Sequence, residues 1–141
     1  MQKQPLSLIC LAIFLFVPQF ASMGWTQADP FYKGKTIRIM VGSTAGGFYD
    51  RWARLFARYM GKYIPGQPEI IAQNMPGAGS VIAANHVFNV GKPDGLTLAM
   101  PLNSVYVDQL VGRKEVQFDL RKFRWIGSPA VESTIMYMRV D

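Results

Sequence analysis

The stretch IRIMVGSTAGGFYDRWARLFARYM, Ile37 to Met60, passes from a short apolar run through small residues and a glycine pair into an amphipathic pattern. Thr36 to Val41 is β-prone and Gly42 to Gly47 reads as a loop. From Asp50 onward Trp52, Leu55, Phe56, Tyr59 and Met60 fall on one helical face. Arg51, Arg54, Arg58 and Lys62 share an adjacent narrow arc. That arc reads as a solvated face or, alternatively, as a docking stripe for a protein partner. Together these segments make one strand, loop and helix unit.

The same order repeats downstream. Pro65-Gly66-Gln67-Pro68 ends the first helix, and Glu69 to Gln73 is a second apolar run leading into Asn74-Met75-Pro76-Gly77-Ala78-Gly79-Ser80. Val81 to Val90 then has helical spacing and stops at Gly91-Lys92-Pro93-Asp94-Gly95. Leu96 to Pro101 reads as a third strand, followed by Asn103-Ser104. Strands alternating with helices predict an α/β fold with a mainly parallel sheet flanked by helices. In such sheets ligands sit outside the carboxyl ends of the strands, and each strand here ends in a loop of small or hydrogen-bonding residues.

The glycine loop has a physical rationale. Gly46 and Gly47 allow close approach of backbone to a ligand, and the first amides of the following helix carry the positive end of its dipole, an arrangement suited to an anion. Asp50 is placed to cap that helix; the alternative is a hydrogen bond to a ligand. Asn74 and the Pro76-Gly77-Ala78-Gly79 turn carry the same two readings, turn chemistry or contacts to a second ligand group.

Residues 1–28 differ from the rest. Lys3 precedes an apolar run from Leu6 to Val17, Pro18 breaks it, and Thr26-Gln27-Ala28 follow. This is the order of a secretory signal peptide, with an apolar core too short to span a bilayer. Its removal leaves residues 29–141 and takes away Cys10, the one cysteine of the 141-residue chain. The mature chain would then hold no disulfide, thiol nucleophile or thiolate metal site. The net charge of +6 loses only Lys3, and the remaining positive balance fits either anionic ligands or plain surface charge.

Sharper chemistries fail on the residues. A phosphate-binding P-loop needs Gly-Lys-Ser/Thr, whereas Gly46-Gly47 is followed by Phe48 and Gly91-Lys92 by Pro93; neither loop has the dinucleotide spacing of glycines. His86 stands alone in the middle of the second helix pattern and reads as structural, with no metal site and no cofactor implied. No Gly-x-Ser-x-Gly elbow supports a serine triad. The chain is therefore not expected to be an enzyme. An exported chain also meets little nucleic acid, so the arginines are not expected to contact it.

The Gly46-Gly47-x-x-Asp50 loop, the Asn74-x-Pro76-Gly77-Ala78-Gly79 turn and the Pro93-Asp94-Gly95 turn occur in one order, followed by FDLRKFRWIGSP from Phe118 to Pro129. In these pieces the chain resembles the N-terminal part of the substrate-binding proteins of tripartite tricarboxylate transporters, the Bug family. The resemblance implies a periplasmic receptor of the type II periplasmic-binding-protein fold, two α/β lobes closing on a small organic carboxylate (a di- or tricarboxylate, acidic amino acid or aromatic acid) and serving membrane permease subunits. It implies ligand contacts from Ser43, Thr44, Ala45, Gly46, Gly47, Tyr49 and Asp50, from Asn74 with Gly77, Ala78, Gly79 and Ser80, and from Asn103 and Ser104.

Two departures stand out against that pattern. Gly42-Ser43-Thr44-Ala45 replaces the family's usual proline and aromatic residue, and Ser80 stands where a further glycine is common. Residues 29–141 then correspond to one lobe truncated near the hinge, with the second lobe missing and Ser133 to Val140 read as a strand entering the hinge. The competing expectation is a truncated exported module, acting as a sensor or protein-interaction domain through the arginine stripe.

Overall fold

The computed structural model describes residues 29–130. The signal-peptide segment and the strand expected over 133–140 lie outside the described residues. Three strands, β1 (Thr36–Val41), β2 (Glu69–Asn74) and β3 (Thr97–Met100), alternate with three helices, α1 (Phe48–Tyr59), α2 (Val81–Asn89) and α3 (Ser104–Leu110). The strands are parallel in the order β2-β1-β3, with Ile39 opposite both Ala72 and Leu98. This is the expected α/β lobe: a parallel open sheet flanked by helices.

Strand β1 is central, and its side chains divide the core. Ile37, Ile39 and Val41 point to one face, where they bury with Ile70 and with Ala53 of α1. Met40 of β1 is also buried, but on the opposite face, where Arg38 and Met40 line a groove with His86 and Val90 of the α2 region. Helices α1 and α2 thus lie on opposite sides of the sheet, as right-handed crossovers to strands on either side of β1 require. A second apolar cluster joins Val81 and Ala84 of α2 to Val105 of α3 and to Phe118, and the Phe88 and Phe123 rings meet beside it at 5.6 Å.

The sheet-facing side of α1 matches the expected one at Phe56 and Met60 but not throughout. Tyr49, Phe56, Ala57 and Met60 pack around Ala53, whereas Leu55 and Tyr59 are 45% and 46% exposed. The small residues Ala53 and Ala57 let the helix sit close to the sheet, and this rotates the larger apolar residues to the flank. There Phe48 and Trp52, then Trp52 and Phe56, form ring contacts with centroids 6.3 and 6.1 Å apart.

Boundaries shift modestly. Helix α1 begins two residues before Asp50, β2 extends through Asn74, and β3 is confined to Thr97–Met100. Helix α3 was not expected, because the seven residues SVYVDQL are too few to show a helical period. The turn after α1 closes through Gly66, whose φ is 94° and where a Cβ would stand 2.5 Å from the Lys33 amide nitrogen.

The packing separates two substitutions. Ile39→Ala, at a side chain 2% exposed in the central strand, is expected to lower the unfolding free energy by about 3 kcal/mol. Leu55→Ala, on the half-exposed flank of α1, is expected to cost less than about 1 kcal/mol. Urea denaturation of both variants checks this, and equal losses would put Leu55 in the core.

Candidate functional site

Strands β1 and β2 are neighbours whose following helices leave on opposite faces of the sheet, so their carboxyl ends open onto a crevice of the kind where parallel α/β sheets bind ligands. One side of the crevice is Gly42–Gly47, the other Met75–Ser80. The loop from Pro101 to Asn103 adjoins both. Thr44, Ala45, Gly46, Ala78, Gly79, Asn103 and Ser104 are exposed on this rim, while Ser43, Gly47, Tyr49, Asn74 and Gly77 are half-buried and Asp50 and Ser80 are buried.

Asp50 organises the first loop. It is the third residue of α1, not its cap; the N-cap is Gly47, which has no side chain to offer. The Asp50 carboxylate, 2% exposed, instead reaches back past the N-cap to accept the Gly46 N–H at 2.7 Å. It also accepts from Arg54 Nε at 2.9 Å and from Asn74 Nδ2 at 2.9 Å. Asn74 Nδ2 donates in addition to the Ser43 carbonyl at 3.0 Å, and Arg54 Nη2 donates to Asn74 Oδ1 at 3.1 Å. Chiefly through the Arg54 hydrogen bond, and then the Gly46 amide, the Asp50 carboxyl is held down from the ordinary 3.8 to about 2 against the opposing effect of burial.

Arg54 therefore stays on the exposed arc in which the sequence placed it, its side chain 55% exposed, but it has fixed partners there. Its guanidinium is part of the loop scaffold, whereas Arg58 lies over the Tyr59 ring at 5.8 Å.

The second loop is wound left-handed. Gly77, Ala78, Gly79 and Ser80 have φ values of 136°, 46°, 64° and 77°. Two of the four carry side chains, and holding Ala78 and Ser80 there costs about 1–2 kcal/mol each. Ser80 is fixed by its buried hydroxyl, which donates to the Gly42 carbonyl at 2.9 Å and accepts the Leu102 N–H at 2.9 Å. One side chain thus joins the loops after β1, β2 and β3. Gly42 is required beneath it, because a Cβ at that position would run into the Ser80 side chain.

Two weaker links finish the rim. The Tyr49 hydroxyl accepts the Asn103 N–H at 3.4 Å, and Ser104 Oγ donates to the Gly79 carbonyl at 3.2 Å. All the expected site residues are thus brought to one end of the sheet, in two roles. Asp50, Asn74, Tyr49 and Ser80 bond the loops to one another, and the rim itself is mostly backbone of small residues. Sequence reasoning missed Arg54, for which the signal was its i,i+4 spacing from Asp50.

The rim is one open wall. Two hollows of the surface lie elsewhere, one beside β2 between Arg54, Arg58 and Ile71, the other across the opposite sheet face around Arg38 and His86. Of the two rim loops only Met75 lines either hollow, on the side facing Arg38 and His86. Among the described residues no group of His, Cys, Asp or Glu side chains could hold a metal ion, and no helix is long and apolar enough to cross a membrane.

Three curated relatives share this stretch. A UPF0065 protein of Cupriavidus necator is 42% identical over 80 residues, 57% of this chain and 23% of that protein. One of Bordetella bronchiseptica is 33% identical over 108 residues, 77% of this chain and 29% of that protein. One of Agrobacterium vitis is 39% identical over 74 residues, 52% of this chain and 20% of that protein. The chain thus matches less than a third of the length of each of these relatives. No protein-family model matches it.

The buried carboxylate gives acid sensitivity a defined sign. The folded Asp50 carboxyl titrates below its unfolded value, so the unfolded chain takes up its proton first as pH falls. Its stabilisation is full above about pH 4 and is lost between about pH 4 and 2, amounting to at most about 2 kcal/mol because Arg54 faces solvent. Urea unfolding between pH 6 and 2 should show that loss, and Asp50→Asn, already weakened at pH 6, should show a shallower one.

Proposed function

We propose, because the chain belongs to the UPF0065 (Bug) family, that it comes from the substrate-binding component of a tripartite tricarboxylate transporter. In this reading it is a periplasmic receptor, exported by its N-terminal signal segment, that takes up a small organic carboxylate and presents it to membrane permease subunits. No catalysis is proposed.

The observation that carries the reading is the convergence of three strand-end loops on one crevice, built from small residues and backbone. A carboxylate needs several N–H or O–H donors around its oxygens and no competing negative charge. The first amides of α1, beginning at Phe48, lack partners within the helix and lie at the positive end of its dipole. A bare Asp50 near them would repel an anion, and Arg54 cancels that charge. Gly46 and Gly79 leave the approach to the backbone open. Ordered loops also reduce the conformational entropy lost on binding. A closed pocket buries most of its ligand, so the second wall is assigned to the remainder of the longer protein.

Isothermal titration of the full-length protein against citrate, succinate, glutamate and benzoate tests this reading. At least one should bind with a Kd at or below about 10 μM, equivalent to roughly 7 kcal/mol. Absence of heat from all four would overturn it.

A further inference from the structure

Resting on the reading that the loops after β1 and β2 receive a carboxylate, we infer that Arg54 is a positioning residue of that site, bridging Asp50 and Asn74 so that the glycine loop is held in one shape. The three side chains form a closed triangle. Arg54 Nε donates to Asp50 Oδ2 at 2.9 Å, Arg54 Nη2 donates to Asn74 Oδ1 at 3.1 Å, and Asn74 Nδ2 donates to Asp50 Oδ1 at 2.9 Å. Two spokes run from the triangle to the loop backbone, one from the Gly46 N–H to Asp50 Oδ2 at 2.7 Å and one from Asn74 Nδ2 to the Ser43 carbonyl at 3.0 Å.

Arg54 sets the sense of the Asn74 amide. By donating to Asn74 Oδ1, it leaves the NH2 group directed at Ser43 and Asp50; with the amide reversed, an oxygen would face a carbonyl and a carboxylate. It also compensates the buried Asp50 charge, which would otherwise draw its partners out of place or take up a proton. A lysine supplies the charge without the fork, because a single ammonium cannot reproduce two donors spread over two acceptors in one plane. Arg54 touches no ligand in this scheme and acts through Asp50 and Asn74.

The test uses the full-length chain with Arg54→Ala, Arg54→Lys and, one turn further along α1, Arg58→Ala as control. Amide hydrogen exchange followed by NMR should be faster at Gly46 by on the order of tenfold in both Arg54 variants, the factor given by one charge-assisted hydrogen bond. Exchange at Ile39 in the central strand should not change, and Arg58→Ala should match the wild type at both positions. Titration of the same proteins with citrate, succinate, glutamate and benzoate should show a comparable loss of affinity in both Arg54 variants.

Unchanged exchange at Gly46, or equal acceleration at Ile39, would overturn the positioning role. A wild-type affinity retained by Arg54→Lys would reduce Arg54 to a counter-charge and overturn it too. If the wild type binds none of the four carboxylates, the transport reading fails by itself, and the exchange result still decides whether Arg54 holds the loop.

Discussion

A buried carboxylate with three donors is the constraint on which the site depends. Asp50 is enclosed beneath the first loop, and the Gly46 amide, Arg54 and Asn74 all donate to it. Its burial disfavours the charge and its donors favour it, and the donors prevail. Because those donors come from the loop, from α1 and from the end of β2, satisfying one charge fixes the relative position of three elements. The sheet supplies the coarse geometry. Asp50 and its donors supply the fine one.

Ser80 does for the second and third loops what Asp50 does for the first. Its hydroxyl sits between the Gly42 carbonyl and the Leu102 amide, and its own backbone is left-handed at φ 77°. A serine there is costly for the backbone, and the two hydrogen bonds of a fully buried hydroxyl offset the cost. The departure noted at Ser80 thus has a partner in the departure at Gly42, since the hydroxyl occupies the space that a side chain at Gly42 would need. The rim that results is neutral and rich in backbone donors, and the charged pair that orders it lies to one side.

Much of this was legible in the sequence. Thr36–Val41 could be bounded as a strand because small residues follow an apolar run directly, and the two glycine turns marked where the loops had to be. The start of α1 was not legible because its cap is a glycine with no side-chain signal, so Asp50, two residues inside, looked like the first capping residue. The buried face of α1 was partly misjudged, for a similar reason. Hydrophobic size pointed to Leu55 and Tyr59, whereas close packing on the sheet selected Ala53 and Ala57. Arg54 is solvated, as the arc it shares with three other cations suggests, and only the fold shows that the position one turn after Asp50 also faces Asn74. Left-handed backbone at Ala78 and Ser80 contradicts local preference, so it could not be read from residue type.

The central claim is that a carboxylate is received at the strand-end loops by backbone donors. Amide chemical-shift mapping of the full-length protein, as succinate or citrate is titrated in, tests it most directly. The account predicts the largest changes at Phe48, Tyr49, Gly77 and Gly79, with smaller ones at Gly46 and Ser104. Changes confined to the groove of Arg38 and His86 on the opposite sheet face, with the glycine loops unmoved, would contradict it.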